Sequence, residues 1–85
     1  MMATFVLHLC NSHGWLPDPQ SEEFADLDAA RDKAVRAIRD LVADDVTEGL
    51  PLNLSHFIAI RDADGKELER VTFHDAIAWD GPPPA

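Results

Sequence analysis

Residues 26–48, DLDAARDKAVRAIRDLVADDVTE, constrain the fold more than any other part of the chain. Leu27, Ala30, Ala34, Ile38, Leu41 and Val42 recur at intervals of three and four, drawing one apolar stripe along a single long helix. Asp26 stands as its N-cap, because its carboxylate can accept from the first unpaired N–H groups. Asp28 lies in the first turn, where the helix dipole favours negative charge. Gly49 suits the left-handed position after the last turn, and Pro51 bars continuation. Such a helix is roughly 35 Å long. That is long for a chain of 85 residues, so its last turn is expected to overhang whatever it packs on.

The runs around the helix read as strands that cannot bury themselves alone. Thr4–Cys10 is rich in strand formers, with Phe5, Leu7 and Leu9 on one face and Val6, His8 and Cys10 on the other. Asn11–Gly14 is a turn, and Trp15–Leu16 a short strand ended by Pro17 and Pro19. Gln20–Glu23 reads as a polar loop leading to Phe24. After a return loop at Pro51–Leu54, His56–Arg61 and Lys66–Phe73 form two further strands. Asp62–Gly65 joins them as a hairpin loop, and the spacing of Leu68 and Val71 places a bulge near Glu69–Arg70. His74–Trp79 predicts a helical turn. The expected fold is therefore α+β: a small ββαββ domain over residues 1–79, mainly antiparallel, with one long helix packed on one face. Residues 80–85, DGPPPA, are expected to form a flexible Pro-rich tail. Leu27, Ala34, Ile38 and Leu41 are expected to be buried against Phe5, Leu7, Leu9, Ile58 and Ile60.

Charge narrows the function classes. The net charge is −9, and no Lys or Arg precedes Arg31. Phosphate neutralisation needs a basic stripe, so neither nucleic acid nor an anionic membrane is an expected partner. Cys10 is the only cysteine, which excludes an internal disulfide and fits a reducing cytoplasm. The N-terminal residues lack the basic start and long apolar stretch of a secretory signal, so a cytoplasmic location is expected.

No catalytic constellation stands out, and neither a cofactor nor a metal is expected. His8, His13, His56, His74 and Cys10 are soft ligand types, and His8 and Cys10 lie about 7 Å apart along one strand face. No C-x-x-C or H-E-x-x-H spacing supports a site. A Cys10–His8 nucleophile–base pair would lack an orienting carboxylate. Asp62, Asp64 and Glu67 resemble fragments of a calcium loop, which a hairpin turn explains better. Trp15 and Trp79 lie near turns or the chain end, where they could anchor an interface.

One helix covers one face of a sheet. The other face would carry Val6, His8 and Cys10, with Phe57 and Ala59 beside them, a surface too apolar to be left in water. A homodimer is expected to cover it, by stacking or through an edge strand, unless Trp79 or the tail folds back. The possible interface is thus Val6, His8, Cys10, Trp15, Phe57 and Trp79. The expected role is a non-enzymatic interaction or regulatory module, with an unidentified protein as a further partner. An antitoxin-like inhibitor of a toxin or nuclease is a sharper form of that role. A small metal-dependent enzyme centred on His8 and Cys10 is the alternative.

FVLHL at 5–9, WLPD at 15–18, FADLDAARDKA at 24–34 and IRDADGKEL at 60–68 occur together in this order. So arranged, with Phe73 and Asp75-Ala76 following, they resemble a family of short proteins widespread in alphaproteobacteria, catalogued as domain of unknown function 6894. The resemblance places His8 on the family's strand histidine, Asp26 on its helix-start aspartate and Arg31 on the arginine that follows. It implies the fold and no established activity. Trp15 replaces the usual small aliphatic residue, and Cys10 falls where a polar residue is common. The β-β-α-β order and the Phe-x-Asp-Leu entry into the helix are also similar to the partial RNase H-like domain of HicB-type antitoxins, which act by protein–protein contact.

Overall fold

Five antiparallel strands and one long helix form two layers in the computed structural model, which describes residues 2–11, 14–17, 19–51 and 53–77. The helix, α1 (Leu27–Glu48), begins as its sequence requires. The Asp26 carboxylate accepts from the Ala29 N–H at 2.9 Å. Gly49 closes it with φ of 72°, its N–H reaching the carbonyls of Asp45 and Val46. Ala30, Ala34 and Ile38 are fully buried, and Leu27 and Val42 pack at their sides. Val46 and Leu50 are exposed, as an overhanging last turn predicts.

Leu41 departs from the expectation: it is 38% exposed. It sits about 60° around the helix from Ile38. There it faces a cleft, lined by Leu9, Leu16, Pro17 and Pro19, rather than a closed sheet.

β1 (Ala3–Asn11) runs through the middle of the sheet. β4 (Phe57–Asp62) pairs with it in a register that sets Leu7 opposite Ile60 and Leu9 opposite Ile58. β5 (Glu67–Thr72) lies beyond β4, with Val71 opposite Ile58. Phe5, Leu7, Ile58, Ile60 and Val71 therefore share the face beneath the helix and form its core. The other flank of β1 carries both β2 (Gly14–Trp15) and β3 (Gln20–Phe24).

β3 corrects the reading of Gln20–Glu23 as a loop. QSEE has little strand propensity and is exposed throughout, so no local pattern marks it. Its extended form comes from the β1 ladder, in which Ala3 pairs with Phe24 and Leu7 with Gln20. Phe24 anchors the strand in the core, its ring 6.1 Å from that of Phe5. The bulge in β5 is also displaced from Glu69–Arg70. Ile60 opposes Glu69 but Arg61 opposes Glu67, so Leu68 is the extra residue and points into solvent.

The β4–β5 hairpin uses Asp62 as its brace. The Asp62 Oδ1 accepts from the N–H groups of Asp64 and Lys66, both at 2.9 Å, and Gly65 takes φ of 89°. The acidic residues here serve the turn. A short helix, α2 (Phe73–Ala76), follows, capped by Thr72 Oγ1 accepting from the Asp75 N–H at 3.0 Å. It begins one residue earlier than predicted because Thr72 takes the cap. Arg39 Nε donates to the Ala76 carbonyl at 2.7 Å and ties α2 to α1. Trp79, His13 and the Pro-rich tail at 80–85 lie outside the described residues.

Two substitutions test this packing. Ile38→Ala removes the central side chain of the helix face and is expected to cost about 2–5 kcal/mol in denaturant unfolding. A variant that melts with the parent would place the stripe on the wrong face. Asp26→Ala removes only a cap and is expected to cost about 0.5–2 kcal/mol. Equal stability would move the helix start elsewhere.

Candidate functional site: an aromatic–guanidinium face

β2 and β3 behave as one edge strand interrupted at residues 16–19. Pro17 and Pro19, which have no N–H to donate, lie within this interruption. Leu16 keeps one strand-like bond, its N–H donating to the Leu9 carbonyl at 2.9 Å. Its own carbonyl is met by a side chain, with His8 Nε2 at 2.6 Å.

That contact determines the state of His8. A carbonyl only accepts, so Nε2 carries the proton. On the other side, Arg61 Nη1 lies 2.8 Å from Nδ1, and a guanidinium only donates. His8 is therefore the neutral Nε2–H tautomer, donating to Leu16 and accepting from Arg61. The pair joins the edge segment to β4 across the face opposite the helix.

Trp15 lies over this pair. Its ring centroid is 4.8 Å from the His8 ring and 4.6 Å from Arg61 Cζ. Because His8 and Arg61 are bonded to each other, they share one side of the indole. Trp15 is 44% exposed. Phe57 meets the Trp15 ring edge-on at 5.5 Å, and Arg70 Cζ stacks over Phe57 at 4.3 Å. Arg70 is held in turn by Glu67, 2.7 Å from its Nε, and this hydrogen bond raises the Arg70 pKa above its ordinary value. Ala59, opposite both His8 and Arg70, is fully buried among these groups. The outcome is an ordered surface of planar groups, each cation–π contact contributing about 0.5–1 kcal/mol at such exposure.

Val6, His8, Cys10 and Phe57 lie on this face as their alternation predicts, and Trp15 joins them. Val6 opposes Arg61 and Cys10 opposes Phe57, each partly buried. Trp79 falls outside the described residues. Arg61 and Arg70 were not anticipated. Arg61 was legible in principle, since it follows Phe57 and Ala59 at two-residue spacing. Arg70 depended on the bulge at Leu68, which resets the register of β5.

Both ring nitrogens of His8 are engaged, by Leu16 and Arg61. Among the described residues, no group of three or more His, Cys, Asp or Glu side chains is placed to hold a metal ion. On the helix side, the same interrupted edge opens an apolar cleft of about 250 Å³ between Leu9, Leu16, Pro17, Pro19, Ala37 and Leu41.

The architecture is that of a small α+β domain with one sheet face covered by the helix and the other uncovered among the described residues. The chain belongs to the family described as a domain of unknown function, DUF6894, whose model matches residues 4–74. No curated protein and no solved structure gives a significant match. Among the described residues, no helix is long and apolar enough to cross a membrane.

His8→Ala would leave the Leu16 carbonyl and an Arg61 N–H unmatched and is expected to cost about 1–3 kcal/mol. In a Trp79→Phe background, Trp15 emission should also become more quenchable by acrylamide. Unchanged stability and quenching would mean that His8 does not hold the indole in place.

Proposed function

We propose that this protein is a non-enzymatic interaction module whose open sheet face, around Trp15 and Phe57, is the contact surface. One observation carries the reading: a half-exposed tryptophan stacked on a bonded His8–Arg61 pair, on a face that no element among the described residues covers. Trp and Arg dominate binding energy at protein interfaces. Here their side chains are already ordered, which lowers the entropy cost of engagement. Engagement of both His8 nitrogens supports this reading over a catalyst built on His8 and Cys10. A cytoplasmic location fits the lone Cys10.

The face is a better contact surface than either edge of the sheet. β3 carries Glu22 and Glu23 and β5 carries Glu67 and Glu69, and three of these already hold ion pairs with Lys33, Arg70 and Arg31 that edge pairing of two copies would crowd. A homodimer would therefore stack through the Trp15 face. An antitoxin-like inhibitor would use the same surface against its target.

The test compares the parent with Trp15→Ala/Phe57→Ala, both checked for equal helix content. Sedimentation across micromolar concentrations and affinity capture from native lysate should show self-association or captured protein for the parent. Both should fall for the variant. Identical sedimentation and identical captured proteins would reject this face as the contact surface.

A further inference from the structure

We infer that the partner docks a carboxylate-bearing peptide segment on Arg61; this rests on the interaction reading above and names the partner's chemistry. The cations of the domain are not equivalent. Arg31 pairs with Glu69, Lys33 with Glu22 and Arg70 with Glu67, while Arg36, Arg39, Arg61 and Lys66 form no ion pair among the described residues. Arg61 has a different environment. Among the described residues its polar contact is neutral His8, and its flat side lies on Trp15. Two carboxylates neighbour it: Asp62, next in sequence, is committed to the N–H groups of its own hairpin, and Glu67, opposite it on β5, is hydrogen-bonded to Arg70.

Arg61, a partly buried residue, thus has no carboxylate bound to it among the described residues, in a chain of net charge −9. Among the described residues the Trp15 indole face lies against it. A carboxylate would compensate its charge better, because the guanidinium has five N–H donors in a planar fork and His8 accepts from one nitrogen only. Arg61 is also already oriented. The His8 bond and the Trp15 ring remove the rotamer freedom that weakens surface ion pairs. Trp15, Phe57 and Val6 lie around the cation, with the Arg70–Glu67 pair beyond Phe57.

This combination matches a peptide with one or two acidic residues among apolar ones. It matches a polyanion poorly. Nucleic acid needs a line of cations, whereas Arg70 on this face is already tied to Glu67 and the whole chain repels phosphates.

The test is an NMR titration of the isotope-labelled full chain. The probes are a blocked peptide of alternating Glu and Leu, its Gln-for-Glu analogue, and a short oligothymidylate. The Glu peptide should produce saturable shifts of the Trp15 indole N–H and the Arg61 side-chain N–H signals, weakening as salt is raised. The Gln analogue should bind at least about tenfold more weakly. Arg61→Gln should lose the preference for Glu over Gln, provided its amide spectrum stays dispersed. Arg61→Lys keeps the charge without the fork and should retain only part of the preference, which serves if Arg61→Gln unfolds. Equal affinity for the Glu and Gln peptides would overturn the acidic partner while leaving the face an interface. Shifts at Trp15 with no peptide would overturn both readings. Tighter binding of the oligothymidylate would overturn the peptide in favour of nucleic acid. A dimer through this face that the Glu peptide does not dissociate would assign the surface to a second copy instead.

Discussion

The packing of Ala30, Ala34 and Ile38 against one face of the sheet is the constraint on which the rest of the domain depends. A chain of this size has room for one long helix, and that helix can cover one face. Small residues at 30 and 34 let the helix lie close to β1 and β4, while Ile38 fills the space beneath its centre. Burial of Phe5, Leu7, Ile58 and Ile60 on that side sets the strand alternation. A one-residue slip would turn the entire core outward, so register is strongly specified. Once it is set, Val6, His8, Cys10, Phe57 and Arg61 have no choice of face.

The interrupted edge strand converts that leftover surface into an ordered one. The ladder beside β1 lapses between Trp15 and Gln20, around Pro17 and Pro19, and the Leu16 carbonyl there faces a side chain. His8 satisfies it from the neighbouring strand, and in doing so is held in the tautomer that can accept from Arg61. Trp15, one residue before the break, closes over both. The disruption in backbone pairing and the arrangement of planar side chains are thus one feature. The same break opens the apolar cleft on the helix side and leaves Leu41 in it.

A functional reading follows from what is ordered without being enclosed. The helix-side core is enclosed, whereas the Trp15 face combines bonded and stacked side chains with a tryptophan that stays 44% exposed. The absence of a carboxylate on Arg61 among the described residues gives that surface a sign, and its apolar surroundings limit the density of negative charge that suits it.

The sequence by itself determined the helix, from Asp26 to Gly49, because capping and three-to-four periodicity are local. It also determined the hairpin at 62–65 and which face each residue of β1 and β4 takes, because strand alternation is local too. The family followed from motifs that match over residues 4–74. Only the tertiary structure decided that QSEE is a strand, since its partner is β1 and its anchor is Phe24 in the core. It also decided that Leu68 is the bulged residue, and so that Arg70 reaches Phe57. The joining of His8, Trp15 and Arg61 belongs to the same class. Those three residues are scattered along the chain, and only the antiparallel return of β4 beside β1, with an interrupted edge on the far flank, brings their side chains into contact.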